Sequence, residues 1–85
     1  MDLCGGGTIA VGALSISFSN SHTEQCTITS STMPGWPTTP PLIPAKEGSK
    51  YGIGIVSLSK PAAAGDYTYT PNCCNTGTPP TIKVQ

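Results

Sequence analysis

The chain has 85 residues, room for one domain spanning 1–85 and for one thin hydrophobic core. Only 9% of it is charged, it has no arginine, and its four lysines balance its four acids. Neutrality without clustered positive charge argues against nucleic acid as a partner. No apolar run approaches the roughly 20 residues that a membrane-spanning helix requires, so no membrane insertion is expected.

Met1-Asp2-Leu3-Cys4 lacks the basic start and apolar centre of a secretory leader. Cys4 precedes Gly5-Gly6-Gly7, a flexible entry to the short apolar run Thr8-Ile9-Ala10-Val11. Leu14 to Ser19 is the clearest strand, with Leu14, Ile16 and Phe18 directed inward and Ser15, Ser17 and Ser19 outward. Asn20-Ser21-His22-Thr23 reads as a polar turn. Gln25 to Ser30 alternates again, with Cys26 and Ile28 inside.

The segment from Met33 to Pro44 is too proline-rich for a helix or a central strand. It is expected to cross between two sheets in a semi-extended, polyproline-like form, within a loop covering 31–49. Tyr51 to Leu58 returns to strand, with Tyr51, Ile53 and Ile55 on one face and Gly52 and Gly54 on the other. Gly52 and Gly54 between them predict close approach of another backbone or a curved strand. Tyr67 and Tyr69 alternate with Asp66, Thr68 and Thr70 in a strand that Pro71 should end, because proline has no N–H to donate. Asn75 to Pro80 is read as loop, and Thr81 to Gln85 as a closing strand with Ile82 and Val84 inward. No ten-residue stretch has a helical apolar period, so the expected fold is all-β with six short strands. Its expected core is Leu14, Ile16, Phe18, Ile28, Ile53, Ile55, Tyr69 and Ile82.

Four cysteines in so small and so weakly charged a chain read as a disulfide framework. That places the protein in an oxidising setting: extracellular, periplasmic, or on a virion or cell surface.

Three stretches carry a family resemblance: Ser17-Phe18-Ser19-Asn20 before a short loop, Gly65-Asp66-Tyr67-Thr68-Tyr69 leading to Cys73, and Thr81-Ile82-Lys83-Val84. In this order they resemble a cut-down cupredoxin, the sandwich of blue copper proteins. The resemblance covers Ile9 to Val84 and implies a small antiparallel β-sandwich, cupredoxin-like or immunoglobulin-like in its Greek key. A blue-copper site needs two imidazoles, a thiolate and a weak axial ligand. Cys73 corresponds to the ligand cysteine, displaced by Pro71-Asn72, and Cys26 stands where the first histidine belongs. No histidine or methionine follows Cys74. The resemblance therefore implies a cupredoxin-like frame without copper chemistry or another cofactor.

If Cys26 and Cys73 occupy positions that converge on one metal in the relatives, a disulfide between them replaces that metal. Such a bridge would stabilise by about 4 kcal/mol in the chain-entropy model. Cys74 would then pair with Cys4. A bridge from Cys4, just before three glycines, is expected to hold less frame and to cost less when removed. A vicinal Cys73–Cys74 ring is the strained third possibility.

The alternative for the same residues is a metal site from His22, Cys26 and Cys73. No Cys-x-x-Cys pair supports it. His22 is the only histidine, and neither Glu24 nor Asp66 sits in a catalytic motif, so no enzyme is expected. Pro34, Pro37, Pro40, Pro41 and Pro44 make overlapping Pro-x-x-Pro spacings, read as a stiff crossover rather than a docking peptide. Trp36, with Pro37 and Leu42, is the candidate contact for a protein partner, since tryptophan anchors interfaces where it is exposed. The functional expectation is a non-catalytic structural or interaction module, by a protein partner or self-assembly, as in a surface, appendage or capsid-decoration subunit. The alternative is a small cupredoxin-type metal-binding or electron-transfer protein.

Overall fold

A computed structural model describes residues 1–75 and 77–85. The strands run β1 (Gly7–Ile9), β2 (Ser15–Asn20), β3 (Cys26–Ser31), β4 (Leu42–Ile43), β5 (Gly52–Ser57), β6 (Gly65–Pro71) and β7 (Thr81–Val84). The described residues contain no helix, and the fold is all-β. Of the loop expected from Asn75 to Pro80, Thr76 lies outside the described residues and the others form no strand.

Five strands make one sheet in the order β1-β7-β6-β3-β4, and β2 and β5 make a second. The inner faces share one core, with Ile16, Phe18 and Val56 from the small sheet against Ile28, Ile43, Tyr69, Ile82 and Val84 from the large one. Phe18 meets Tyr69 edge-on across it, ring centroids 5.2 Å apart. The pairing is not wholly antiparallel as expected, because β1 lies parallel to β7, with Thr8 opposite Lys83. Parallel neighbours need a long crossover between them, and here nearly the whole chain supplies it.

Serine alternation sets β2 as expected, with Ile16 and Phe18 buried and Ser15 and Ser17 exposed. The alternation in β5 runs the other way. Ile53 is 55% exposed and Ile55 67%, while Gly52, Gly54 and Val56 face inward. Sterics decide this, because β4 and the residues after it lie directly on β5. A Cβ at Gly52 would collide with the Pro44 carbonyl oxygen, and one at Gly54 would stand 2.6 Å from the Ile43 Cδ1. The glycines do mark a close backbone approach, but they take the inner face and turn the isoleucines out. Leu14 is a second correction at 61% exposed. It precedes β2 at the rim, its carbonyl accepting the Leu58 N–H at 2.8 Å.

Two further differences concern prolines. The proline-rich crossing contains the two-residue β4, an edge strand whose Thr27–Leu42 and Cys26–Ile43 pairs attach it to β3. An edge is where a strand tolerates neighbouring prolines. Pro71 does not end the pairing of β6 but lies opposite Ile28, beside a register shift. Asn72 continues it, its N–H donating to the Thr27 carbonyl and its Oδ1 accepting the Thr27 N–H, each at 2.9 Å.

The N-terminal segment is built into the fold. Leu3 is buried, and its N–H donates to the Ser19 carbonyl at 3.0 Å. The Tyr69 hydroxyl donates toward the Leu3 carbonyl at 2.7 Å and the Asp2 carbonyl at 3.0 Å. Burial, offset in part by a hydrogen bond from the Gly6 backbone and reinforced by the Asp2 charge, pushes the phenol up to about 12 from its ordinary 10.0. The unfolded chain ionises first, so folding keeps its full stability below pH 10 and loses it as pH rises toward 12. Denaturant titrations across that window should show a loss of about 2–3 kcal/mol. In Tyr69→Phe this component of the loss should vanish.

Candidate functional site

Asn20, the last residue of β2, is fully buried and fully used. Its Nδ2 donates to the carbonyls of Glu24 at 2.9 Å and Pro44 at 3.0 Å, and its Oδ1 accepts the His22 N–H at 2.8 Å. The Lys46 N–H donates to the His22 carbonyl at 2.8 Å. The turn is thereby pinned from inside, and the His22 backbone is held on both sides.

That scaffold sets the half-buried imidazole against sulfur. Cys4 pairs with Cys74, and Cys26 with Cys73, each with Cα atoms 5.5 Å apart. These are the pairs that the resemblance implies. His22 Nε2 lies 3.3 Å from Cys4 Sγ. A disulfide sulfur has no proton and can only accept, so a hydrogen bond here needs the tautomer with the hydrogen on Nε2. The adjacent Cys73 and Cys74 bring the two bridges side by side, their Sγ atoms 4.0 Å apart. Only Cys26 is fully buried; Cys4, Cys73 and Cys74 are half-buried. A shallow cleft lined by His22, Thr23, Glu24, Asn72 and Cys73 opens on the Cys73 side of the cluster.

The metal alternative takes His22, Cys26 and Cys73. The set whose ligand atoms lie within 4.8 Å of one another is instead Cys4, His22, Cys73 and Cys74. Cys26 lies on the buried side of its bridge, whereas Cys4 arrives from the N-terminus, which no local spacing in the sequence reveals. Metals bind thiolate, and every sulfur here is in a disulfide. In this state His22 is the one strong donor of the set.

The three residues expected to contact a partner are not alike. Trp36 is half-buried, its ring edge-on to Phe18 at 6.2 Å, with its Nε1 buried and without a hydrogen-bond acceptor among the described residues. Pro37 is half-buried, and Leu42 is exposed on the outer side of β4. The broader apolar surface is the row Tyr51, Ile53 and Ile55 along the outside of β5. Gly52 and Gly54 are the signal for it, since a strand that places glycine inward must place its bulk outward.

No protein-family model, curated protein or solved structure matches the chain.

Proposed function

We propose that this chain is a non-catalytic structural or interaction module that works outside the cytoplasm and assembles with copies of itself. Two disulfides and no free cysteine fit an oxidising compartment. Within that class we read the site of action as extracellular, periplasmic or a virion or cell surface. The proposed kinship is with the cupredoxin frame, supported by the convergence of Cys26 and Cys73 at one end of the core.

One observation carries the assembly reading: β5 is an apolar edge strand. Among the described residues it pairs only with β2. The far edge of β2 is partly covered by the N-terminal segment through Ser17, Ser19, Met1 and Leu3. From Gly52 to Ser57 β5 holds neither proline nor charge, the devices by which edge strands avoid pairing. An antiparallel β5–β5 contact is self-complementary about a twofold axis. A net charge of zero puts little repulsion between copies.

Sedimentation equilibrium tests this reading. The native chain should associate with concentration, and Ile53→Lys with Ile55→Lys should be monomeric with an unchanged melting temperature. A native chain that stays monomeric at millimolar concentration defeats self-assembly.

The metal-binding reading has one observation in its favour, the Cys4, His22, Cys73 and Cys74 cluster. It needs open disulfides. Stoichiometric metal uptake by natively purified protein with free thiols would put it ahead.

A further inference from the structure

We propose that Cys4–Cys74 is a reactive disulfide that exchanges with small or protein-borne thiols, with Cys74 the sulfur attacked and Cys4 the leaving group stabilised by His22. This goes beyond assembly through β5 and does not depend on it.

Thiol–disulfide exchange is an in-line displacement whose rate depends on which sulfur can be reached and how well the other carries negative charge. Access separates the two bridges first. Cys26 is fully buried, so attack there is blocked, and attack on Cys73 would expel a Cys26 thiolate into the core. Cys4 and Cys74 are both half-buried, and Cys74 is followed by the exposed Asn75.

Charge stabilisation then sets the direction. His22 Nε2 already lies 3.3 Å from Cys4 Sγ, placed to donate in the tautomer that carries the hydrogen there. As the S–S bond breaks, that neutral-acceptor contact becomes a hydrogen bond to a thiolate, which is stronger. The donor needs no rearrangement, because the Asn20 and Lys46 contacts fix the backbone that carries it. The Cys74 sulfur meets only the Cys73 sulfur among its described polar contacts. It would be the poorer leaving group.

The step balances. An incoming thiolate forms a bond to Cys74 Sγ, the Cys4–Cys74 bond breaks, and its electron pair leaves on Cys4 Sγ as a thiolate. A second thiolate can then attack the mixed disulfide, releasing Cys74 and the oxidised thiol dimer. Overall two external thiols are oxidised and one protein disulfide is reduced. With a protein thiol as the attacker, the first step alone attaches the chain covalently to its partner.

Reduced glutathione is the probe. The oxidised protein is exposed to limiting glutathione at neutral pH, quenched with N-ethylmaleimide at timed intervals and mapped by peptide mass. The early product should carry maleimide on Cys4 and glutathione on Cys74, with Cys26–Cys73 intact. His22→Leu should slow its formation about ten-fold, the effect of losing one hydrogen bond to a charged group. His22→Gln, whose amide can replace the N–H donor, should recover most of the rate. Thermal melts of both variants identify any loss that comes from unfolding. Opening of Cys26–Cys73 first would overturn the proposal. Equal adducts on Cys4 and Cys74, or a folded His22→Leu reacting at the native rate, would overturn it too.

Discussion

Phe18→Ala should destabilise the protein by about 3–5 kcal/mol in urea denaturation, a large share of what a domain of this size can have. The ring is fully buried and stands edge-on to both Tyr69 and Trp36. Its cross-strand partner is Gly54, which has no side chain to move into the space that truncation leaves. Ile43 lies over Gly54 and is held by the pairing of β4 with β3, so the cavity should persist rather than collapse. The control is Leu14→Ala, four residues earlier and on the same expected face. At 61% exposed it should change stability by no more than about 0.5 kcal/mol. Equal costs at the two positions would mean that β2 packs in a different register.

The contrast between those residues shows how far the sequence can be read. Strands with polar residues on one face, such as β2 with its serines, declare their buried side, because serine and phenylalanine differ greatly in what burial gains. β5 does not declare it in that way. Its alternation is between glycine and isoleucine, and hydrophobicity alone sends the isoleucines inward. What reverses them is the chain from Ile43 to Ala45 lying against the strand, a contact made by a proline-flanked segment that has no period of its own. β4 is hidden for a related reason: two residues among prolines have no period, and pairing with β3 alone makes them a strand. At the sulfur cluster the residue types are readable and the geometry is not. That His22 faces Cys4 depends on Asn20 reaching back to Glu24 and Pro44, and a buried asparagine at a strand end looks like any turn asparagine in the sequence. The N-terminus misleads as well. Three glycines after Cys4 read as a loose hinge, yet Leu3 is in the core and Tyr69 bonds to the segment.

That last point changes the reason for the ranking of the two bridges. Replacing Cys26 and Cys73 together by serine should cost about 2–5 kcal/mol, and replacing Cys4 and Cys74 should cost less, but not because of the glycine hinge. The pairs are 47 and 70 residues apart, and the chain-entropy model makes each worth about 4 kcal/mol, the longer slightly more. Nor does the N-terminal segment come free without its bridge, since the Leu3 and Ser19 N–H groups still pair it with β2. What separates the bridges is burial. Cys26→Ser would place a hydroxyl where no atom of the native side chain touches water, whereas Cys4→Ser and Cys74→Ser would leave theirs half-exposed and open to hydration. The expectation is therefore specific to the replacement. With serine, the Cys26–Cys73 variant should be the less stable by about 1–2 kcal/mol, the cost of a buried hydroxyl whose acceptor, the Glu24 carbonyl 3.6 Å from the Cys26 Sγ, is too far for a good hydrogen bond. With alanine at the same positions, the gap should close or reverse in favour of the longer loop. Urea titrations of the four double variants, each with its remaining bridge confirmed by mass, measure both differences. A gap of the same size with alanine as with serine would place the cause in the frame held by Cys26–Cys73 rather than in desolvation.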